Sequence, residues 1–322
     1  MNRYRTLVDS LRKLISGPVL LDEPMDCHTS MGVGGPADMF IEPADLDELS
    51  AVLRLLAQAG TPLVPLGNGS NVIVRDGGIR GAVVSTRGLT GLELKGGNER
   101  TAISAEPGVP LHRLVEFALA SSLEGLEFCA GIPGTVGGAV RMNAGAYGRE
   151  MKDVVAALLV ADGVGRLSMM DSSDLRFGYR KLFIDEGLII AQALFRVAPG
   201  DRASSSEQVR SICALRRQRH PLEYRSAGSV FKNPPGRPAG RIIDELGLKG
   251  LQIGGAKVSE LHGNFIVNLG GARASDVISL IEEVHRRVHA ASGIDLDPEV
   301  KIIGSDQRDD RDEGSERADE NR

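Results

Sequence analysis

Apolar and polar positions alternate with a helical period in several parts of the chain. Residues 7–15 carry apolar side chains at this spacing with charged residues between them, which predicts an amphipathic helix and not the apolar stretch of a signal peptide. A second helix is predicted from Asp45, where Glu48 follows three positions later as in a capping box, to Gly60. The same period predicts helices near 111–119, 206–219, 239–246 and 275–292.

Strand-like apolar runs lie between these helices. Runs near 154–161, 166–170 and 187–197 predict strands, and PEVKIIG predicts a last strand close to residue 300. This order of elements predicts an α+β fold. The segment 199–208 is polar and Ser-rich, so we interpret it as a linker and place a domain boundary near residue 200.

Composition and charge exclude several classes of protein. Gly accounts for 40 of 322 residues, well above a background of about 7%, so parts of the backbone need conformations that glycine allows. The net charge is −5, and residues 306–322, with eight acids and four arginines, supply −4 of it. A protein that binds nucleic acid or a membrane surface would carry the opposite sign. We expect the acidic tail, 305–322, to be disordered.

The apolar runs and the cysteines indicate in which cellular compartment the protein is expected. The longest apolar run, Val154–Ala161, has eight residues, far fewer than the roughly 18 of a membrane span, so a soluble protein is expected. Cys27, Cys129 and Cys213 are odd in number and far apart, without a CxxC pair. This argues against a disulfide framework or a zinc site. We therefore expect a cytoplasmic protein with no bound metal.

A first Gly loop, LGNGSN, follows a predicted strand. Its GxG invites a dinucleotide-binding interpretation, but the Rossmann fingerprint needs a third Gly and a helix, whereas Val72 occupies that position and a strand follows. The loop can still present backbone amides to a phosphate, with Ser70 and Asn71 adding side-chain hydrogen bonds. The alternative is a tight turn that needs Gly67 and Gly69, and the loop alone does not decide between the two.

A second Gly loop, AGIPGTVGGAVRMNAGAYG, favours ligand binding over a purely structural role for these loops. It combines small residues with Thr135, Asn143 and Tyr147, a composition that lets a ligand approach the main chain closely. With the first loop and a third, GVGGPAD, it indicates a ligand with a pyrophosphate and an extended planar ring.

Seven separated segments, in order from Thr29 to Gly304, resemble the UDP-N-acetylenolpyruvoylglucosamine reductase family. They are GVGGPADMFIEP, LGNGSNVIVRDGGIRGAVV, GIPGTVGGAVRMNAGAYGRE, FGYR, SAGSVFKNP, IGGAKVSELHGNFIVN and DPEVKIIG. The resemblance implies NADPH-dependent, FAD-mediated reduction of an enolpyruvyl group in peptidoglycan precursor synthesis. It also implies non-covalent FAD, a small UDP-sugar substrate and no nucleic-acid or membrane partner.

The resemblance further implies a domain plan and a cofactor site. Residues 1–200 form an FAD-binding domain of the vanillyl-alcohol-oxidase (PCMH-like) type, in two subdomains that meet near 85–100. Residues 206–304 form a smaller α+β substrate-binding domain. The implied FAD-contacting residues are Gly67, Asn68, Gly69, Ser70, Asn71, Gly131, Pro133, Gly134, Thr135, Gly137, Gly138, Asn143, Gly145 and Tyr147.

Three residues match the family's catalytic positions. Arg180 in FGYR matches the catalytic arginine, and a guanidinium suits a carboxylate because its fork donates two parallel hydrogen bonds. Ser229 in SAGS matches the proton donor, and Glu299 in DPEVK matches the catalytic glutamate. Without the resemblance, each has an ordinary alternative as a strand-end or turn residue. Lys232 and Asn233 are implied to bind the UDP diphosphate.

The sequence departs from the family at a few positions. His28 stands where Asn is usual, Leu182 where Ser is usual, and Arg225 where Pro is common. Leu182 puts a polar contact from that position in doubt. Between residues 195 and 229 there is no room for the Tyr-bearing insertion of one branch of the family. The chain therefore resembles the shorter branch.

Other candidates and functions carry less weight. His285 and His289 stand four apart but lack a third ligand, and Cys129 is interpreted as a small buried apolar residue. A flavin oxidase and a flavin-binding module without turnover are the competing functions. An oxidase would bring a covalent attachment residue, and a module would have lost the three catalytic matches. The choice between NADPH and NADH stays open on sequence grounds, and for the oligomeric state the expectation is a monomer.

Overall fold

The structure, a computed structural model, describes residues 4–96 and 101–307. The helices in this part of the chain are α1 (Arg5–Leu14), α2 (Leu46–Gln58), α3 (Leu111–Ala120), α4 (Val136–Arg141), α5 (Arg202–Arg219), α6 (Ala239–Glu245) and α7 (Ala274–Ser292). The strands to Glu150 are β1 (Val19–Pro24), β2 (Pro36–Ile41), β3 (Leu63–Leu66), β4 (Val72–Val74), β5 (Ile79–Ser85), β6 (Leu92–Lys95), β7 (Ala102–Ala105), β8 (Leu123–Glu124), β9 (Gly145–Ala146) and β10 (Arg149–Glu150). The later strands are β11 (Val155–Ala161), β12 (Leu167–Asp171), β13 (Arg176–Gly178), β14 (Lys181–Phe183), β15 (Ile189–Arg196), β16 (Ala198–Pro199), β17 (Arg225–Ser229), β18 (Gln252–Ile253), β19 (Ala256–Val258), β20 (Phe265–Asn268) and β21 (Lys301–Ile303).

The first subdomain is a four-stranded sheet in the order β1-β2-β5-β3, covered by α1 and α2. The predicted start of α2 is confirmed, because the Asp45 carboxylate accepts the Glu48 N–H at 2.8 Å. The Glu48 carboxylate turns instead to the N–H groups of Ser16 and Ala44, which joins this helix to the loop after α1. The apolar stripe of α2, including Leu49, is completely buried.

The second subdomain is a five-stranded antiparallel sheet in the order β12-β11-β15-β7-β6. Its core also holds residues from α3 and α4. The chain changes from the first sheet to the second between Ser85 and Leu92. The α+β fold expected from the sequence is confirmed.

Helix α5 differs from the prediction. It begins at Arg202, where the Asp201 side chain accepts the N–H groups of Ala203 and Ser204, and not near 206. Ser205 is buried and donates a hydrogen bond to Glu127 at 2.8 Å, so this helix packs on the second subdomain. Most of the segment interpreted as a linker is therefore helix.

The C-terminal domain is a four-stranded sheet in the order β17-β20-β19-β18 with α6 and α7 against it. Its core cluster also contains Met31, Val33 and Ile73 from the N-terminal part of the chain. Ser30 donates to the Ser226 carbonyl oxygen at 2.7 Å across the same interface. The core of the C-terminal domain thus includes three residues from the N-terminal part of the chain.

The chain returns to the first subdomain at its last described strand. Strand β21 pairs in parallel with β4, and the Ser305 N–H donates to the Gly78 carbonyl oxygen at 3.0 Å. Asp306 forms an ion pair with Arg75 at 2.7 Å. Residues 305 and 306, expected to be disordered, are therefore held in place, and 308–322 lie outside the described residues.

Helix α7 is capped from another domain. The Asp76 carboxylate, in the turn after β4, accepts the N–H groups of Ala274 at 2.9 Å and Ser275 at 3.2 Å. These are two of the unpaired donors at the start of a helix. The cap fixes the orientation of the 19-residue helix relative to the first subdomain.

Candidate active site

Two of the three predicted catalytic side chains lie against each other. Arg180 Nε is 3.1 Å from Glu299 Oε1, and both side chains are mostly buried. Arg180 comes from the two-residue turn that joins β13 and β14. Its φ is 56°, a left-handed conformation that costs a non-glycine residue roughly 1–2 kcal/mol. Such a backbone outlier is a feature of functional sites.

The Arg180 donor remains free in this arrangement. Its Nε is buried, lies 3.1 Å from Glu299 Oε1 and is not satisfied by a well-aligned hydrogen bond. A carboxylate placed beside the guanidinium would satisfy it. The arrangement favours binding of a carboxylate-bearing ligand.

Glu299 is held in place by the backbone of a neighbouring strand. Its N–H donates to the Val230 carbonyl oxygen at 2.7 Å, which brings the residue after Ser229 beside it. Burial raises the pKa of Glu299, and this outweighs the opposing effect of Arg180 and Lys232. A carboxyl group with a raised pKa keeps its proton to higher pH and can donate it in a hydrogen bond.

Ser229 ends β17 and lines a cavity of about 310 Å³. Lys249 and Arg241 line the same cavity, and each is ion-paired, Lys249 with Asp244 at 2.7 Å and Arg241 with Glu245 at 2.8 Å. Positive charge near a hydroxyl stabilises the alkoxide that forms when it gives up a proton. The cavity thus supplies part of the environment that a serine acid needs.

Lys232 and Asn233 line a second cavity of about 490 Å³ together with Tyr179 and Asp297. Lys232 Nζ is 3.8 Å from the Asp297 carboxylate, a loose pair that leaves the ammonium available. The Asn233 side chain accepts the Ala239 N–H at 2.9 Å and caps α6, and the Asn233 backbone N–H donates to the Tyr179 hydroxyl at 3.4 Å. Ser229, Lys232 and Asn233 thus line two cavities that share Asn233, and the Arg180–Glu299 pair adjoins them through Tyr179 and Val230.

The two predicted cofactor loops contact each other. A Cβ on Gly67 would lie 2.9 Å from Thr135 Oγ1, and one on Gly134 would lie 2.7 Å from Ser70 Oγ. Thr135 Oγ1 is buried without a hydrogen-bond partner. A buried hydroxyl without a partner, in a cradle that only glycine leaves open, fits a ligand that supplies the missing hydrogen bond.

The remaining predicted cofactor residues lie at the surface of these loops or beneath it. Asn68, Gly131, Pro133 and Gly138 are exposed, and no atom lies within 4 Å of a Cβ built on Gly138. Those of intermediate exposure are Gly67, Ser70, Asn71, Gly134, Gly137 and Gly145. Gly69 is buried, and Tyr147 is at the exposed tip of the β9–β10 hairpin.

Asn143 is placed differently from the other cofactor candidates. It is completely buried, and its amide donates to the Gly178 carbonyl oxygen at 2.9 Å and to Glu150 at 3.0 Å. Its side-chain oxygen accepts the Lys152 N–H at 3.0 Å. The side chain thus supports the hairpin that carries Arg180.

Arg216 is a further candidate site residue that no sequence motif marks. Its side chain lies over Gly131 beside the second Gly loop, and its buried Nε makes no hydrogen bond. Burial lowers the pKa of Arg216, although the nearby Tyr147 hydroxyl opposes this. Arg216 lies among the basic residues that end α5, and such a run is typical of a solvent-exposed helix face. Only its contact with the second Gly loop, which the structure shows, marks it as a candidate.

The family departures have structural counterparts. Leu182 is buried in the core of the second subdomain, so packing replaces the polar contact expected there. His28 bonds to Glu23 at 2.8 Å and stacks on Phe40. The Arg225 side chain lies over Gly32, whose φ is +66°.

Other candidate groups carry no catalytic feature. Burial raises the pKa of Cys129 to about 12, which fits the predicted inert residue, and all three cysteines are free. His289 pairs with Asp295 at 2.8 Å. Within residues 4–96 and 101–307, no group of His, Cys, Asp and Glu is arranged to hold a metal ion. In the same ranges no helix has the length and apolar character needed to cross a membrane.

Comparison with known proteins defines the class. Residues 37–170 match the profile of an FAD-binding domain, so the two Gly loops belong to a flavin-dependent oxidoreductase. Residues 220–303 match the profile of the UDP-N-acetylenolpyruvoylglucosamine reductase C-terminal domain. The matched region begins directly after α5, which ends at Arg219.

Relatives that match along the whole chain identify the family within this class. The chain is 51% identical over 299 residues to UDP-N-acetylenolpyruvoylglucosamine reductase of Syntrophus aciditrophicus, which covers 92% of this chain and 96% of that one. It is 43% identical to the Geotalea uraniireducens enzyme of that name, over 93% and 97% of the two chains. The crystal structure of the Thermus caldophilus reductase superposes with a TM-score of 0.76 at 35% identity and covers 90% of this chain and 100% of that one. The chain belongs to the UDP-N-acetylenolpyruvoylglucosamine reductase family.

Proposed function

We infer that this protein uses NADPH and FAD to reduce the enolpyruvyl group of UDP-N-acetylenolpyruvoylglucosamine to UDP-N-acetylmuramate, a peptidoglycan precursor. The observation that carries this inference is the contact between Arg180 and Glu299 beside the strand end that bears Ser229. An ether of enolpyruvate has a carbon–carbon double bond conjugated to a carboxylate, and these residue types match the needs of its reduction.

The residues present fit FAD. Gly67 and Gly134 leave room between the two loops, Thr135 offers an unpaired hydroxyl, and Arg216 offers a cation for a phosphate. Bound there, FAD would supply the hydride chemistry that links NADPH to the β-carbon of the substrate. We propose that the loop residues 67–71 and 131–147 hold it without a covalent bond.

Arg180 and Glu299 act on the substrate carboxylate. Once the β-carbon has gained hydride, negative charge at the α-carbon spreads onto the carboxylate as an enediolate. The Arg180 guanidinium, with its free Nε, stabilises this charge. Glu299, whose pKa is raised by burial, donates a hydrogen bond from its protonated form to the same group.

Ser229 completes the reaction. Its hydroxyl gives a proton to the α-carbon, and the hydride and this proton together saturate the double bond. The resulting alkoxide is stabilised by the positive charge lining its cavity and is reprotonated from solvent. Lys232 and the backbone of Asn233 bind the diphosphate, which holds the enolpyruvyl end against Arg180.

The domain split, location and assembly are proposals as well. We place the cofactor domain at residues 1–219 and the substrate domain at 220–304, on the packing of α5. A cytoplasmic location agrees with three unpaired cysteines. A monomeric enzyme remains the prediction.

An assay of NADPH oxidation with and without the UDP-sugar tests the function. We expect oxidation that depends on this substrate and forms UDP-N-acetylmuramate in equal amount. Equal oxidation without the substrate, with oxygen consumed, would identify an oxidase. Bound FAD without turnover on NADPH would identify a flavin-binding module.

A further inference from the structure

Two asparagines link the cofactor loops to the catalytic pair. Asn71 in the first loop donates from Nδ2 to the Glu299 carbonyl oxygen at 3.0 Å. Asn143 in the second loop donates from Nδ2 to the Gly178 carbonyl oxygen at 2.9 Å, two residues before Arg180. Each loop thus reaches the backbone beside one member of the pair.

We propose that Asn71 and Asn143 are positioning residues that set the spacing of Arg180 and Glu299 from the two cofactor loops. The inference rests on the proposed function and deepens it. It gives these two side chains a role on the protein's own backbone, where the sequence resemblance implies contact with FAD.

The first loop is tied by two hydrogen bonds to the backbone that starts at the Glu299 carbonyl. Besides the side-chain bond, the Asn71 carbonyl oxygen accepts the Lys301 N–H at 2.9 Å, so Asn71 holds the backbone on both sides of Val300, directly after Glu299. Asn71 Nδ2 also lies 3.6 Å from Met142 Sδ, which brings it beside the second loop. A shift of the first loop therefore moves the Glu299 backbone with it.

The second loop is tied to Arg180 through the hairpin. Asn143 has a φ of 43°, and its buried amide is fully used by Gly178, Glu150 and Lys152. The Gly178 carbonyl precedes the turn in which Arg180 holds its own left-handed backbone. Fixing this carbonyl keeps the strained turn in place, because the hairpin here has only three residue pairs.

The two asparagine links act on the same catalytic pair, whose two members come from different domains. Arg180 belongs to the second subdomain and Glu299 to the C-terminal domain, and the asparagines sit on the loops between them. A displacement of about 1 Å in catalytic groups can cost roughly 10²-fold in rate. Spacing held by two neutral hydrogen bonds, each worth about 1 kcal/mol, is thus a sensitive feature of the site.

Asn71→Ala tests the first link in the FAD-bound enzyme. We expect kcat for enolpyruvyl reduction to fall about 10- to 100-fold. KM for the UDP-sugar should change little, since Lys232 and Asn233 bind the diphosphate. The decisive comparison is a double-mutant cycle with Glu299→Gln: if Asn71 acts through the Glu299 carboxyl, its loss has little further effect in that background. Full additivity of the two substitutions would overturn the proposal.

Amide hydrogen exchange on the holoenzyme supplies a readout independent of activity. Asn71→Ala should raise exchange in residues 297–303, and Asn143→Ala should raise it in 176–183, each leaving the other segment protected. The control, Gln58→Ala, removes an exposed side-chain amide at the end of α2, outside both cofactor loops, and should raise exchange in neither.

The outcomes separate the possibilities. Loss of FAD from Asn71→Ala with unchanged exchange near Glu299 would make Asn71 a cofactor ligand and overturn the positioning role. If the variants show the local exchange changes but the wild type shows no reductase activity, the two links stand and the proposed function is refuted. If Asn143→Ala does not fold, the Asn71 cycle and exchange data decide alone.

Discussion

The guanidinium of Arg180 lies 3.1 Å from the carboxyl group of Glu299, yet its Nε is left without a hydrogen bond. A purely structural ion pair would align both groups, because a bidentate contact is stronger. The misaligned pair is instead arranged to share a third partner, which we assign as the substrate carboxylate.

Arg180→Lys should slow reduction of the enolpyruvyl group much more than reduction of the flavin by NADPH. An ammonium keeps the charge but cannot reproduce the planar fork, so we expect a loss of about 10²-fold, as for removal of one transition-state donor. Stopped-flow absorbance of the flavin band measures each half-reaction. Equal slowing of both would assign Arg180 to folding or cofactor binding.

Glu299 makes the reaction pH-dependent. Burial raises its pKa, so the protonated, hydrogen-bonding form is present at low pH and is lost as pH rises through this raised pKa. Activity should therefore fall on the alkaline side. Glu299→Gln, which cannot ionise, should be slower than wild type but should lose this alkaline decline. A pH profile of kcat checks both statements, and an unchanged profile would exclude Glu299 as the group that titrates.

Ser229→Ala should affect only the second half of the reaction. NADPH can reduce the flavin without a proton donor to substrate carbon, whereas enolpyruvyl reduction ends with protonation of the α-carbon. A positioned general acid is worth roughly 10²- to 10⁴-fold, and turnover should fall by at least that lower factor. If flavin reduction slows as much as reoxidation by substrate, or if neither slows, Ser229 is not the proton donor.

Glycine substitutions should separate cofactor binding from folding. Gly134→Ala adds a Cβ 2.7 Å from Ser70 Oγ at a φ of +119°, so we expect loss of bound FAD and a lower melting temperature. Gly163→Ala is the control, because no atom lies within 4 Å of its Cβ and its backbone is unstrained. Visible absorbance and thermal melts decide, and retained FAD in Gly134→Ala would contradict the contact of the two loops.

Asp76→Ala should destabilise the protein by about 1 kcal/mol, the usual cost of a lost helix cap. Burial tends to raise the pKa of Asp76, but hydrogen bonds from Ser275 and Ala274 and the charge of Arg273 outweigh it and lower the pKa. The cap therefore stabilises the fold above the ordinary aspartate pKa, and this contribution is lost as pH falls through the lowered value. Denaturant unfolding at pH 7 and at acid pH should show the difference between variant and wild type shrinking. A constant difference would show that the charge is not involved.

Local patterns explain what the sequence could predict. Helix α2 follows from its apolar stripe and from Asp45, whose partner is three residues away, and the strand at Val72–Val74 correctly excludes a Rossmann loop. The start of α5 was missed because Ser205 looks like a loop residue. Its burial depends on Glu127, 78 residues earlier in the chain.

The candidate site, too, could be predicted only in part from local sequence patterns, because its contacts join distant segments of the chain. Arg180, Ser229 and Glu299 were found through family motifs, because their proximity arises from three separate segments. Asn71 lies 228 residues from Glu299, and no local pattern reveals that its amide reaches the Glu299 backbone. The free donor of Arg216 likewise depends on burial against a distant loop.

The pairing of β21 with β4 bears on how the enzyme is made. Strand β4 directly follows the first cofactor loop, and its parallel partner, Lys301–Ile303, is among the last described residues to leave the ribosome. The loop that holds Asn71 therefore stays without its Glu299 and Lys301 partners until residues 299–301 have been synthesised. Nascent or prematurely terminated chains lack a finished cofactor loop, and a fragment of residues 220–303 carries a strand whose partner it does not contain.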